Sequence, residues 1–410
     1  MYLYILIFLT ELYPVVNNLL NITYNSTVYR AISILTFVII ILLFLRDIII
    51  KKTISKKLVM IILIAFILVS SILLSISIYG NVDSFAKTKY LTVVIRAVPM
   101  IFLASILVNK PKSWQLGKLK LINILISISL LKYLYLNKSS FFLAHTLNFG
   151  GVNYNDFSYI AALNIALSYV LLFDLYVNNT TRKAQQSILV LTSIVISYTA
   201  LFFSGGRGAM VLSIVFLFLF IFNVVKQTKI NIKKASKLVF IVSLLLVSVT
   251  FIVLNNETLK DGIFRGFSFL NFSGGGLIDW ENTSGRLFIY RDSLELIQNS
   301  PFWGHGIGSV YLIHPSAHFS HNLFLDLFID GGVFLIFFSI ILIIYVLKKS
   351  IKNSCDIKYY FSLSLFLFSF INLLSGSNYL IEPILWFSLT YILLLNNKYE
   401  KEVIPAKAQL

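Results

Sequence analysis

Apolar residues run continuously along most of this chain, in stretches near 20 residues parted by short polar links. That length is what crossing the hydrocarbon core of a bilayer takes, at about 20 residues per helix. Lipid leaves each backbone group to find an internal partner, so only helices or closed barrels can span it. A barrel strand would alternate apolar and polar positions, and these runs do not. The pattern therefore predicts an all-α polytopic membrane protein with twelve transmembrane helices, at about 2–20, 28–45, 58–79, 90–108, 119–136, 156–177, 186–203, 208–225, 238–254, 321–347, 359–375 and 378–395. One polar interruption, 255–320, breaks the rhythm. It is far longer than an ordinary connection, which suggests a functional loop or a small folded cap. Within it, 258–262 and 286–298 carry helix-like patterns. The second mixes Arg286, Asp292 and Glu295 with Phe288, Ile289, Leu294 and Leu296, which suits a helix lying at an interface. No internal repeat is evident, so 1–410 reads as one integral membrane domain with 255–320 as the lid of a site.

Charge fixes the expected orientation. Every second link is basic: 46–57, 110–120, 182–183, 226–237, 348–358 and the tail 398–410 together hold 23 of the 34 Lys and Arg. Basic links stay in the cytoplasm, which places both termini there and the 255–320 loop outside. The other outer links are the one around Asn21, 80–89, 137–155, 204–207 and a tight turn near Ser375. The net charge of +17 follows from this bias and needs no nucleic acid as partner. Mean hydropathy is +0.86 and charged residues make up 12%, half the roughly 25% usual in soluble domains. Cys355 is the sole cysteine, which excludes an internal disulfide and a thiolate metal site. Met1-Tyr2-Leu3-Tyr4 lacks a basic n-region, so the first run is expected to remain as a helix.

Charges within the spans are costly in lipid and therefore informative. Arg96, Lys132, Arg207, Asp326, Asp330 and Glu382 all fall toward the outer leaflet on this topology, with Asp174 near the inner face. Taken together they suggest a polar cavity open to the outside. Taken singly, each is equally well a paired or snorkelling structural charge.

Candidate chemistry collects on the same side. Arg207 lies in Ser204-Gly205-Gly206-Arg207-Gly208 between two spans. Amides at the start of the next helix plus a guanidinium suit a phosphate, although a glycine turn with an Arg reaching for water reads as well. Arg286, Arg291 and Arg265 add three guanidiniums able to grip phosphate oxygens in pairs; Arg291 is equally well a surface charge facing Asp292 or Glu295. Four of the five histidines, His305, His314, His318 and His321, fall within 17 residues. His318 and His321 have no matching carboxylate or cysteine for a metal site, so none is expected. His321 heads the tenth span, where a neutral imidazole can take a proton from a sugar hydroxyl. His305 and His314 are expected to be satisfied structural histidines. Asp326 and Asp330, four residues apart on one helical face, could orient His321, bind sugar hydroxyls or pair with Lys132 or Arg96. Asn155, in Asn153-Tyr154-Asn155-Asp156, and Asn322 offer carboxamides for sugars or helix caps.

The ordered set Ser204-Gly-Gly-Arg207-Gly-Ala, Ser284-Gly-Arg286, Pro301-Phe-Trp-Gly304-His-Gly306-Ile-Gly308, His321-Asn322 and Asp330-Gly-Gly332 resembles the O-antigen ligase/polymerase superfamily. Tyr154 stands where that family usually has proline, and Gly206 extends its Ser-Arg-Gly run. The resemblance implies a GT-C-like glycosyltransferase in the bacterial inner membrane, using no cofactor or metal. It implies transfer from an undecaprenyl-diphosphate-linked oligosaccharide, with Arg207, Arg286 and His321 essential, Arg291 supporting, and a chain-length regulator and flippase as partners. The Ile-, Lys-, Asn- and Phe-rich composition is similar to that of repeat-unit polymerases, which makes a polymerase the expectation. A ligase acting on lipid A–core is the alternative, and a lipid-linked oligosaccharide flippase a distant one.

Overall fold

The structure, a computed structural model, describes residues 12–21, 25–51, 56–79, 84–136, 149, 154–177, 183–204, 206–227, 286–314, 319–374 and 376–395. The regular elements among them are helices. They are α1 Tyr13–Leu20, α2 Ser26–Lys51, α3 Lys56–Tyr79, α4 Ser84–Thr92, α5 Val98–Leu107, α6 Lys112–Leu136 and α7 Tyr154–Val177. Then follow α8 Lys183–Ser204, α9 Arg207–Gln227, α10 Arg286–Asn299, α11 Val310–Ile313, α12 Leu323–Lys352, α13 Ile357–Leu373 and α14 Pro383–Leu394. A short π-helical stretch, Val93–Ala97, joins α4 to α5.

Among the described residues, eight helices are long and apolar enough to cross a membrane; α13 and α14 are shorter apolar helices. The expected span 238–254 lies outside the described residues, and of 2–20 only α1 is described. Most helices run past the apolar stretch that announced them. Straight-chain Lys is a good helix former, so basic ends extend the helix beyond its lipid-matched core. The helix expected at 286–298 is α10.

α7 is the axis of the bundle. Of its apolar window 83% is buried, against 22% for α2 and α12. It packs on α6, α8, α9 and α13. Polar side chains glue these helices together in the interior: Asn164 Nδ2 donates to Ser127 Oγ (2.9 Å) and Ser197 Oγ (2.8 Å), and Asn123 Nδ2 donates to Asn164 Oδ1 (2.8 Å). Such bonds hold membrane helices together where no hydrophobic driving force acts between them. α3, α4, α5 and α12–α14 form a second core.

One end of the bundle is fastened by lysines on helix C-termini. Lys226 Nζ donates to the Lys352 carbonyl (2.9 Å), Lys358 Nζ to Val108 (3.1 Å) and Lys110 (2.9 Å), and Lys349 Nζ to Leu393 (3.1 Å). Each satisfies carbonyls a helix end leaves open and meets the negative end of its dipole. At this end Lys112 also pairs with Asp174 at 3.3 Å. The basic links of the sequence are thus structural fasteners here.

Candidate functional site

The opposite end holds the sequence-predicted residues. α12 begins there. Asn322 is its N-cap, with Oδ1 accepting from the amides of Phe324 (3.0 Å) and Leu325 (3.4 Å). His321, just before the cap, has φ 55°, a left-handed conformation that bulky residues rarely adopt and histidine tolerates better than most. Its ring lies 4.2 Å from that of Phe319.

Asp326 and Asp330 sit one turn apart on α12 and are buried, at 0% and 1% exposure. Asp326 Oδ1 accepts from the amide (2.7 Å) and hydroxyl (2.6 Å) of Ser320, and its Oδ2 from Asn378 Nδ2 (2.7 Å). Asp330 accepts from the amides of Gly308 (2.9 Å) and Val310 (3.1 Å), from Ser309 Oγ (3.2 Å) and from Tyr379 Oη (2.6 Å). The glycine-rich loop after α10 is therefore wound around a carboxylate. Its other ties are Tyr79 Oη to the His305 carbonyl (2.9 Å), Tyr90 Oη to the Gly308 carbonyl (2.8 Å) and Ser75 Oγ to the Ile307 carbonyl (2.9 Å). Gly332, at φ 61°, kinks α12 where this loop crosses it: a Cβ there would lie 2.2 Å from the Phe302 carbonyl oxygen.

Cations face the imidazole. Burial pushes His321 below the usual histidine range. The Arg286 guanidinium acts in the same direction, as do His314 and Lys89, while a hydrogen bond with the Gly376 backbone pulls the other way. Arg286 opens α10, and Arg207 opens α9. Arg207 reaches this neighbourhood through α7. A Cβ on Gly206 would collide with Ser158 at 1.9 Å and lie 3.7 Å from Asn155 Oδ1; a Cβ on Gly376 would lie 3.7 Å from Asn155 Nδ2. Asn155 thus bridges the start of α9 and the turn that meets His321. Arg291 lies five residues beyond Arg286, about 140° around the helix, and is exposed. Arg265 and His318 lie outside the described residues. His305 Nε2 meets the Leu296 carbonyl (2.9 Å) and His314 Nε2 meets Ser293 Oγ (3.0 Å), the satisfied structural histidines expected. Lys132 caps α1 through the carbonyls of Asn18 (2.7 Å) and Leu19 (2.9 Å). Among the described residues no cluster of three His, Cys, Asp or Glu is placed to hold a metal.

An apolar cleft of about 300 Å³ lies between α3 and α12–α14, lined by Leu323, Leu327, Leu335, Phe338, Phe366 and Phe370 among others. A second, of about 370 Å³, adjoins it at Ile307, Leu335 and Phe338 and reaches Trp303. The first turn of α12 therefore has His321 at its head and apolar walls along its side.

Residues 192–340 match the family model described as Wzy_C, O-antigen ligase. That match supports the O-antigen ligase/polymerase superfamily. Among curated proteins, none matches the chain. The matched segment contains Arg207, Arg286, His321, Asn322, Asp326 and Asp330; Asn155 and the turn at 376–380 lie outside it.

Sequence reasoning missed Lys89, Gly376, Asn378 and Tyr379. The polar run Ser375-Gly376-Ser377-Asn378 ahead of an apolar span was the available signal for the last three. It read as a tight turn, whereas residues 376–382 form a longer connection reaching inward to both aspartates. Lys89 carried no signal, because a lone lysine beside a span looks like any interfacial cation.

Proposed function

We propose that this chain is a glycan polymerase of the O-antigen type, passing a growing glycan from undecaprenyl diphosphate to a hydroxyl of an incoming lipid-linked repeat unit. The arrangement that carries this reading is His321 at the head of α12, its ring against Phe319 and the Arg286 charge facing it, with Asn155 lying beside both Gly206 and Gly376. An imidazole kept neutral by burial is a base at neutral pH. Here it takes the proton of the acceptor hydroxyl as that oxygen attacks the anomeric carbon. The bond from that carbon to the diphosphate oxygen breaks, the diphosphate leaves with the electron pair, and the centre inverts. Arg207 and Arg286 hold the diphosphate and offset the charge it gains. Arg291, Arg265 and His318 border the same loop and serve the saccharide, with Asn155 and Asn322. The apolar clefts beside α12 suit the isoprenoid chain. The long loop roofs the site on the outer face of a bacterial inner membrane, with both termini in the cytoplasm.

The test is a gel of surface polysaccharide from cells carrying Arg207→Ala or His321→Ala at normal protein levels. Loss of polymerase leaves core bearing a single repeat unit. Loss of a ligase leaves bare core while polymer accumulates on the carrier lipid. Wild-type chain length in both variants overturns the assignment of these residues.

A further inference from the structure

α10 is lightly anchored. It packs on α12, and Ser293 is the one residue along it that is fully buried. Two imidazoles meet the helix on that side. His314 Nε2 lies 3.0 Å from Ser293 Oγ, and His305 Nε2 lies 2.9 Å from the Leu296 carbonyl. Chemistry fixes the direction of both bonds. A carbonyl only accepts, so His305 donates through Nε2–H. A hydroxyl has one proton, and Ser293 gives its own to the Ile289 carbonyl (2.7 Å), so His314 donates through Nε2–H as well. The same two residues are tied to α12. In an unbroken helix the Ile329 carbonyl would receive the Val333 amide. At the Gly332 kink that amide turns to the Pro301 carbonyl instead (3.0 Å), and the His305 amide takes its place on Ile329 (2.8 Å). His305 therefore joins α10 by its ring to α12 by its backbone. His314 caps α11, whose first residue, Val310, is held by Asp330.

We propose that His305 and His314 are positioning residues that lock the rotation of α10, so that Arg286 and not Arg291 is presented on the face toward α12, at whose head His321 stands. The helix carries both arginines, and its rotation decides between them. Ser293, the residue His314 holds, follows Arg286 by seven positions, so the two share a face to within about 20°. Arg291 points about 140° away from Arg286. Exposure agrees: Arg286 is half-buried and Arg291 is exposed. Two donors on one side of a helix with a single buried residue are enough to hold that choice, and both are fastened at their other end to the helix that carries the histidine. The inference rests on Arg286 as a holder of the diphosphate in the proposed transfer, and the experiment separates the two.

The full-length protein is purified in detergent in a Cys355→Ser background carrying one new cysteine, either Ile289→Cys on the sheltered side of α10 or Leu294→Cys on the exposed side. Labelling by a charged maleimide then reports the rotation of the helix. With both histidines present, Leu294→Cys is expected to react several-fold faster than Ile289→Cys. In His305→Ala/His314→Ala the two rates should converge. In His305→Gln/His314→Gln, where the carboxamide nitrogen donates from the place of Nε2, the contrast should return. Affinity for undecaprenyl diphosphate is measured on the same set without the added cysteines. The alanine pair should bind about 10-fold more weakly, the scale of one lost buried hydrogen bond, and the glutamine pair should recover. Placed on Arg286→Ala, the alanine pair should cost nothing more, because residues that act through one side chain are not additive. A labelling contrast that survives the alanine pair, or that the glutamine pair fails to restore, overturns the positioning role, as does a loss that adds in full to that of Arg286→Ala. If the labelling responds as expected while Arg286→Ala binds undecaprenyl diphosphate like the wild type, the rotation lock stands and the diphosphate reading of Arg286 falls instead.

Discussion

His321 combines two demands on one residue. Its backbone is left-handed, and the proposed transfer needs its ring neutral. Asparagine tolerates that backbone region well, so His321→Asn should leave expression and thermal stability close to wild type while stopping chain growth; a growing polymer in that variant would remove the histidine from the chemistry. The pH dependence follows from the direction of its shift. Burial and the charges of Arg286, His314 and Lys89 hold its pKa below 6.5, against the pull of Gly376. The free base therefore persists as pH falls through 6.5 and is lost only below it. Chain growth in spheroplasts, with the outer face at buffered pH, should hold at pH 6.5 and decline at lower pH. Lys89→Ala removes a facing positive charge, so it should move that decline upward.

Elements explain where the sequence was legible. Eight of the expected spans were readable among the described residues because lipid imposes a length and a composition on a crossing helix. α10 was readable because its charges are spaced through an apolar pattern too mixed to cross. The ends of the helices were not, since a lysine prolongs a helix as readily as it ends a span. Arg207, Arg286 and His321 could be singled out because guanidinium and imidazole are rare in such a chain. What they would stand beside could not: Asn378 and Tyr379 meet Asp326 and Asp330 across about 50 residues, and turn residues in polar runs give no hint of their partners. Asp326 was expected to orient the histidine, bind sugar hydroxyls or pair with Lys132 or Arg96; its oxygens are taken by Ser320 and Asn378. The kink of α12 is an element-scale prediction. Gly332→Ala asks for a Cβ 2.2 Å from the Phe302 carbonyl oxygen at φ 61°. That glycine-only backbone region alone costs about 1–3 kcal/mol, so a clear fall in the melting temperature of the detergent-purified protein is expected.

At the scale of the whole molecule, the bundle has a cationic, histidine-bearing end and a lysine-fastened end. Cys355, the sole cysteine, lies at the fastened end beside the Lys226 contact to Ser354. It is a built-in reporter of orientation. A membrane-impermeant maleimide should label it only after cells are opened, whereas Trp303→Cys, exposed near the other end, should label in intact cells. The reverse pattern would put the site in the cytoplasm. The two buried carboxylates also set an order of assembly. The partners of Asp330 at Gly308, Ser309 and Val310, and of Asp326 at Ser320, are synthesised before α12, but Asn378 and Tyr379 are synthesised after it. A nascent chain ending before residue 376 therefore carries α12 into the bilayer with two acceptors still waiting. The ribosome must deliver the last hairpin before either carboxylate has its full set of donors.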